Sequence, residues 1–195
     1  SSRNRNQIDL FLLKELISEC NMPVSYGGGI KDVQEIQKLL KIGIDKVIIN
    51  NSFLKNKNFI HDVSNEFGSQ SIIAAIDIIS DNNKLKIFSK EKPNKLNVIE
   101  WLKEIQKERI GELLITSVNH EGTMKGYDFN MLDNIYKYLE KPTLFNGGAS
   151  SIEDFKKLFT YKNIMAGCAS SIFLFTEITP SLVKKSLIKD FPIRN

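Results

Sequence analysis

Asp77 follows the apolar run Ser71-Ile72-Ile73-Ala74-Ala75-Ile76. A carboxylate delivered by an apolar strand is poorly solvated. If it faces a cleft, it is poised to take or give a proton. A helix cap or a loop hydrogen bond is the plainer use of such an aspartate. Two glycine turns offer a second chemistry. Gly27-Gly28-Gly29 follows Pro23-Val24-Ser25-Tyr26, and Gly147-Gly148 follows Pro142-Thr143-Leu144-Phe145-Asn146. A glycine turn leaving a strand lets backbone N–H groups come close to a phosphate. A simple tight turn would use glycine for its backbone angles alone. The recurrence favours phosphate binding. From Pro23 to Pro142 the spacing is 119 positions, and Gly28-Gly29 to Gly147-Gly148 repeats it. The match continues through Val33/Ile152, Ile36/Phe155, Lys38/Lys157 and Leu39/Leu158, and Asn51-Ser52 stand against Ser170-Ser171. The repeat implies two phosphate sites, one at Gly28, Gly29, Asn50 and Asn51, the other at Gly147, Gly148, Ser170 and Ser171. The substrate class is then a small molecule with a phosphate at each end.

The elements that must hold these residues are legible in the periodicity. Helical spacing of apolar residues runs from Ile8 to Glu19, from Asp32 to about Leu40, from Asn58 to Phe67, from Asn97 to Glu108 and from Asp128 to Leu139. Helices also start at Ile152 and Pro180. Asp32, with Glu35 three residues on, reads as a capping box. Short apolar strands are expected at Pro23–Tyr26, Lys46–Asn50, Ser71–Asp77, Glu112–Thr116, Pro142–Asn146 and near Ile164, with Leu85–Ser89 as a hairpin arm after the Asp81-Asn82-Asn83 turn. Such alternation predicts a parallel sheet with helical crossovers. An open doubly wound sheet is the alternative, and the offset repeat suits two half-barrels better. In a barrel, function lies at the C-terminal ends of the strands. That rule selects the two glycine turns, Asp77, Asn146 and the loop from Thr116 to Asp128, which is polar and punctuated by glycine. The loop can supply hydrogen bonds or close over a ligand. His120 within it could act as an acid or base, but a solvent-facing loop histidine is the preferred reading. Lys46 and Glu112 start their strands on the opposite face, where a surface ion pair contributes little.

The bulk numbers exclude several classes. Net charge is +4, with lysines scattered over helix faces, so a solvated surface is preferred to a nucleic-acid interface. No apolar run approaches the ~20 residues of a membrane span, and no secretory leader opens the sequence. Cys20 and Cys168 form no metal or redox motif and read as structural thiols of a reducing cytoplasm. No cofactor is called for. The expectation is one domain over residues 1–195.

Seven segments together resemble the HisF family, the cyclase subunit of imidazole glycerol phosphate synthase. They are VSYGGGI at 24–30, DKVIINN at 45–51, FGSQSIIAAID at 67–77, GELLITS at 111–117, EGTMKGYD at 121–128, FNGGASS at 145–151 and ASSIFLF at 169–175. The resemblance implies a TIM (βα)8-type barrel that takes ammonia from a glutaminase partner, in a heterodimer. It converts a bis-phosphorylated ribulosyl aminoimidazole carboxamide into imidazole glycerol phosphate and an aminoimidazole carboxamide ribotide. Asp77 matches the second of two catalytic aspartates, and Lys46 and Glu112 match charged residues around the ammonia entrance. Gly29, Asn50, Gly148, Ser170 and Ser171 match phosphate-site positions, and Thr116, Asn119, Glu121 and Asn146 match the substrate loop. Departures are present: the family usually carries aspartate at Asn119 and at Glu121, serine at Asn146 and threonine at Asn51. The GTMKGYD variant is similar to second HisF-like proteins associated with amidation of surface-polysaccharide sugars. A barrel that only docks and activates the glutaminase is the non-catalytic alternative. A complete barrel of this type needs about 250 residues, so the expected architecture lacks the first strand, first helix and second strand. With them goes the first catalytic aspartate, and the chain alone is expected to be aggregation-prone, to self-associate or to be partly unfolded, and to be inactive.

Overall fold

The computed structural model describes residues 8–50, 57–82, 84–88 and 97–192, which divide between two compact units. The first unit comprises residues 1–75 and 107–112, the second residues 76–106 and 113–195.

In the first unit, helix α1 (Leu10–Glu19) precedes strand β1 (Ser25–Gly27), helix α2 (Val33–Lys41), strand β2 (Lys46–Ile49) and helix α3 (Lys57–Phe67). A 3-10 turn at Ser69–Ser71 leads into strand β3 (Ile72–Asp81). β1 pairs with β2, and β2 with the start of β3, all in parallel. Ile36 and Leu39 of α2, Val47 and Ile49 of β2, and Ile60 and Val63 of α3 are buried, so each helix turns one apolar stripe inward. α1 keeps its predicted span but buries none of its residues, and Phe11, Leu12 and Leu16 are exposed. The predicted capping box of α2 is half made. Asp32 accepts the Glu35 N–H at 2.8 Å, but the Glu35 carboxylate reaches past the cap to the Lys31 N–H at 2.7 Å.

In the second unit, β3 continues and strand β4 (Lys84–Ile87) folds back on it in antiparallel register, Ile78 opposite Ile87. Helix α4 (Val98–Ile105), strand β5 (Glu112–Ser117, of which Glu112 belongs to the first unit), helix α5 (Phe129–Ile135) and strand β6 (Thr143–Asn146) follow. Helix α6 (Ile152–Leu158), strand β7 (Ile164–Cys168), the five-residue helix α7 (Ser171–Phe175) and helix α8 (Pro180–Leu187) complete the chain. β5, β6 and β7 are parallel neighbours in chain order. That order has no reversal of the kind a doubly wound sheet needs, and the (βα) reading of the repeat is borne out. Trp101, Leu102, Ile115, Phe145, Phe155, Leu158 and Ile172 are buried between sheet and helices. A buried glutamine joins α4 to the start of β6. Gln106 Nε2 donates to the Leu102 and Tyr138 carbonyls, both at 2.8 Å, while its Oε1 accepts the Glu140 N–H at 2.6 Å and the Lys141 N–H at 3.1 Å. All four hydrogen-bonding directions of the amide are thereby used.

Several element boundaries differ from expectation: β1 is Ser25–Gly27 rather than Pro23–Tyr26, and α4 ends at Ile105 rather than Glu108. β3 does not end at Asp77 but runs four residues further, because β4 supplies a hydrogen-bonding partner. Phe88 N–H donates to the Asp77 carbonyl at 2.8 Å, so Asp77 stands where the hairpin pairing begins. The predicted helix over Asp128–Leu139 becomes α5 and a 3-10 turn at Tyr136–Tyr138. Ser89, the predicted end of the hairpin arm, lies outside the described residues.

Candidate functional site

Each unit carries one of the two predicted glycine turns at the C-terminal end of parallel strands. In the first, Gly28 and Gly29 follow β1 with φ of 105° and 73°. These are angles that a side chain strains. Gly27 is opposite Ile48, and Asn50 directly follows the neighbouring strand. Both glycines are exposed, Asn50 is half-buried, and Asn51 lies outside the described residues. Lys46 and Glu112 belong to the same unit at the strands' N-terminal ends. The lysine ammonium and the Glu112 carboxylate pair at 2.5 Å, both partly exposed.

In the second unit, Gly147 and Gly148 follow β6 with φ of 109° and 99°, and both are buried. Asn146 is opposite Cys168, and Ser170 and Ser171 open α7 directly after β7. A narrow cleft is lined by Glu121, Gly122, Asn146, Gly147, Gly148, Ser170 and Ser171, among others. The substrate-loop residues divide. Asn146 Nδ2 donates to the Glu121 carboxylate at 2.8 Å and lies 3.4 Å from Thr116 Oγ1, so these three meet. Asn119 turns instead to Ser80 on β3, accepting its N–H at 2.7 Å and donating to its carbonyl at 3.3 Å. Asp77 is half-buried on β3, and neither it nor Thr116 is among the residues lining the cleft.

Strand pairing revises one correspondence of the repeat. The β6–β7 register shifts between Thr143 and Leu144: Thr143 is opposite Ile164, but Leu144 is opposite Ala166. Met165 is the extra residue of this bulge and is exposed. The β1–β2 ladder has no such shift. Gly27 opposite Ile48 therefore corresponds to Asn146 opposite Cys168. Asn50, rather than Asn51, becomes the counterpart of Ser170.

The residues around the cleft include several that sequence reasoning left aside. His120 is not a solvent-facing histidine. It is half-buried, with Nδ1 at 2.8 Å from the Gly126 carbonyl. Tyr127 is buried in an edge-to-face aromatic group with Phe129, Phe145 and Phe155, and its hydroxyl donates to the Cys168 carbonyl at 3.1 Å. Burial, aided by Cys168 and Asp154, pushes that hydroxyl far above its ordinary range, so it stays a neutral donor. Burial, then the Glu121 carboxylate, pushes the Cys168 thiol up to about 11. The Gly126-Tyr127-Asp128 run was the available signal: an aromatic flanked by a turn glycine and a helix cap. Among the described residues, no group of histidines, cysteines and acids has the arrangement of a metal site, and no helix is long and apolar enough to cross a membrane.

The model of a family described as "Histidine biosynthesis protein" matches residues 1–179. A Dictyoglomus thermophilum protein named "Imidazole glycerol phosphate synthase subunit HisF" is 36% identical over 179 residues, covering 90% of this chain and 71% of the relative. One of the same name from Leuconostoc mesenteroides is 37% identical over 176 residues, 88% of this chain and 69% of the relative. A Campylobacter jejuni protein named "Putative imidazole glycerol phosphate synthase subunit hisF2" is 36% identical over 190 residues, 96% of this chain and 76% of the relative.

Proposed function

The chain belongs to the histidine biosynthesis protein family, and we propose that it acts as the synthase (cyclase) subunit of an imidazole glycerol phosphate synthase. In this reading the substrate is a bis-phosphorylated ribulosyl aminoimidazole carboxamide, with one phosphate for each glycine turn. Ammonia comes from a glutaminase partner, as the word "subunit" in the relatives' names invites. Lys46 and Glu112, at the N-terminal ends of their strands, belong to its entrance. The products are imidazole glycerol phosphate and aminoimidazole carboxamide ribotide. The observation that carries the reading is the paired turns, Gly28-Gly29 and Gly147-Gly148, all four at positive φ after parallel strands. Anchoring both ends of a substrate removes much of its freedom before the chemical step. Asp77 then has one task, moving protons during ring closure.

The test is turnover of the bis-phosphorylated substrate with ammonium salt, by the protein that contains this sequence, with and without Asp77→Asn. Loss of proton transfer lowers the rate by about 10²–10⁴, while binding through the phosphates stays nearly unchanged. Equal turnover of variant and parent rules Asp77 out.

A second reading, amidation of a surface-polysaccharide sugar, draws on the Glu121–Asn146 contact. Both residues depart from the family pattern noted above, both line the cleft, and they bond each other at 2.8 Å. The hisF2-named relative is in keeping with it. An imidazole product decides for the first reading, an amidated nucleotide sugar for the second.

A further inference from the structure

His120 leaves the chain beside the second glycine turn: a Cβ built on Gly148 would lie 2.9 Å from the His120 Cβ. A carbonyl oxygen only accepts, so the 2.8 Å contact with Gly126 makes Nδ1 the protonated, donating nitrogen. The Gly126 N–H donates in turn to the Gly148 carbonyl at 2.8 Å. Because a trans peptide is planar, engaging that carbonyl fixes the direction of the Ala149 N–H on the same unit. Gly148 and Ala149 both line the cleft. The histidine is itself held from two sides. Thr123 donates to its carbonyl through N–H at 3.0 Å and Oγ1 at 2.8 Å, and Nε2 faces the Asp128 carboxylate at 3.8 Å. Asp128 is buried and already engaged, accepting from Ser117 Oγ and from the Met131 N–H, each at 2.9 Å.

We propose that His120 is a positioning residue that latches the 118–127 loop onto the Gly147-Gly148 turn and so aims the cleft's backbone donors at an anion. The proposal deepens the reading of that turn as a phosphate cradle and rests on it. Asparagine at 120 keeps a donor close to the place of Nδ1. Glutamine moves the donor toward the place of Nε2, and alanine has none.

The experiment follows sulfate binding to the full chain through the Gly148, Ala149 and Ser170 amide signals, together with hydrogen exchange at Gly126. Losing one such hydrogen bond in H120A or H120Q weakens sulfate binding about fivefold, whereas H120N stays within about twofold of the parent. Exchange at Gly126 accelerates in H120A and H120Q. Exchange at Met131, which reports the Asp128 cap and hence an intact fold, does not change. Parent-like affinity and exchange in H120A overturn the latch, as does H120N behaving like H120A. A parent protein whose amide signals ignore sulfate overturns the cradle reading instead, and the Gly126 exchange still decides whether the latch exists.

Discussion

The two glycine turns share a sequence pattern and differ in what surrounds them. A Cβ built on Gly28 or Gly29 meets nothing within 4 Å among the described residues. One built on Gly147 comes within 2.7 Å of the Ser117 carbonyl, and one on Gly148 collides with the Gly126 carbonyl. The helices that follow differ in the same sense. Asp154 of α6 accepts from Ser150 N–H at 2.8 Å, Ser150 Oγ at 2.7 Å and Ser151 N–H at 3.0 Å, completing a capping box with Ser151. Its counterpart in α2, Glu35, accepts from the Lys31 N–H alone among the bonds described. The lesson concerns what a repeat carries. Positive φ and an inward apolar stripe are local and recur in both units. Tight packing around a turn needs a second chain segment laid over it, and in the second unit the 117–128 loop supplies that segment.

The two turns should differ most in how they tolerate a side chain, and Gly148 is the least tolerant position. Gly148→Ala forces a side chain against backbone, and we expect about 3 kcal/mol or more of destabilisation. Gly29→Ala pays only for its backbone angle, about 1 kcal/mol. Denaturant unfolding of the two variants reads the difference, and equal losses would show the turns to be packed alike.

Next in size is the contrast between the two thiols. Cys20 is exposed at the end of α1, whereas the Cys168 thiol is raised from 9.0 to about 11. Two pH units correspond to about a hundredfold smaller thiolate fraction than an ordinary thiol has near pH 8. Alkylation by iodoacetamide should therefore modify Cys20 first and Cys168 about a hundredfold more slowly. The same shift has a stability consequence. The folded state holds the Cys168 proton more tightly than the unfolded state does. Stability from this source is complete below pH 9 and is lost as pH rises through about 11. Tyr161 is raised from 10.0 to about 12 by burial and its hydrogen bond to Asp133, and it acts in the same direction one unit higher. Cys168→Ser should remove the earlier part of the alkaline decline. An unchanged pH profile in that variant would assign the decline elsewhere.

The smallest effect separates the caps. Asp154→Ala removes three bonds and should cost about 1–2 kcal/mol, while Glu35→Ala, removing one exposed bond, should cost about 0.5 kcal/mol. Thermal unfolding of the pair decides whether the second box is the stronger one.

By itself the sequence determined what depends on near neighbours. The spans of α1, α2 and α3, the Asp32 cap, the positive φ of the paired glycines and the parallel βα alternation all follow from spacing, side-chain size and local hydrogen bonding. Tertiary structure decided whatever needed a distant partner. β3 continues past Asp77 only because β4 pairs with it. Asn50 replaces Asn51 as the counterpart of Ser170 because a bulge between β6 and β7 adds one residue, and bulges belong to ladders rather than to either strand alone. His120 is drawn out of solvent because the carbonyl it binds, Gly126, is itself fastened to a turn 22 residues further along the chain, at Gly148. Periodicity reports which face of an element is apolar. It carries no record of which remote backbone group a polar side chain will meet, because that geometry exists only once the strands are paired and the loop is laid down.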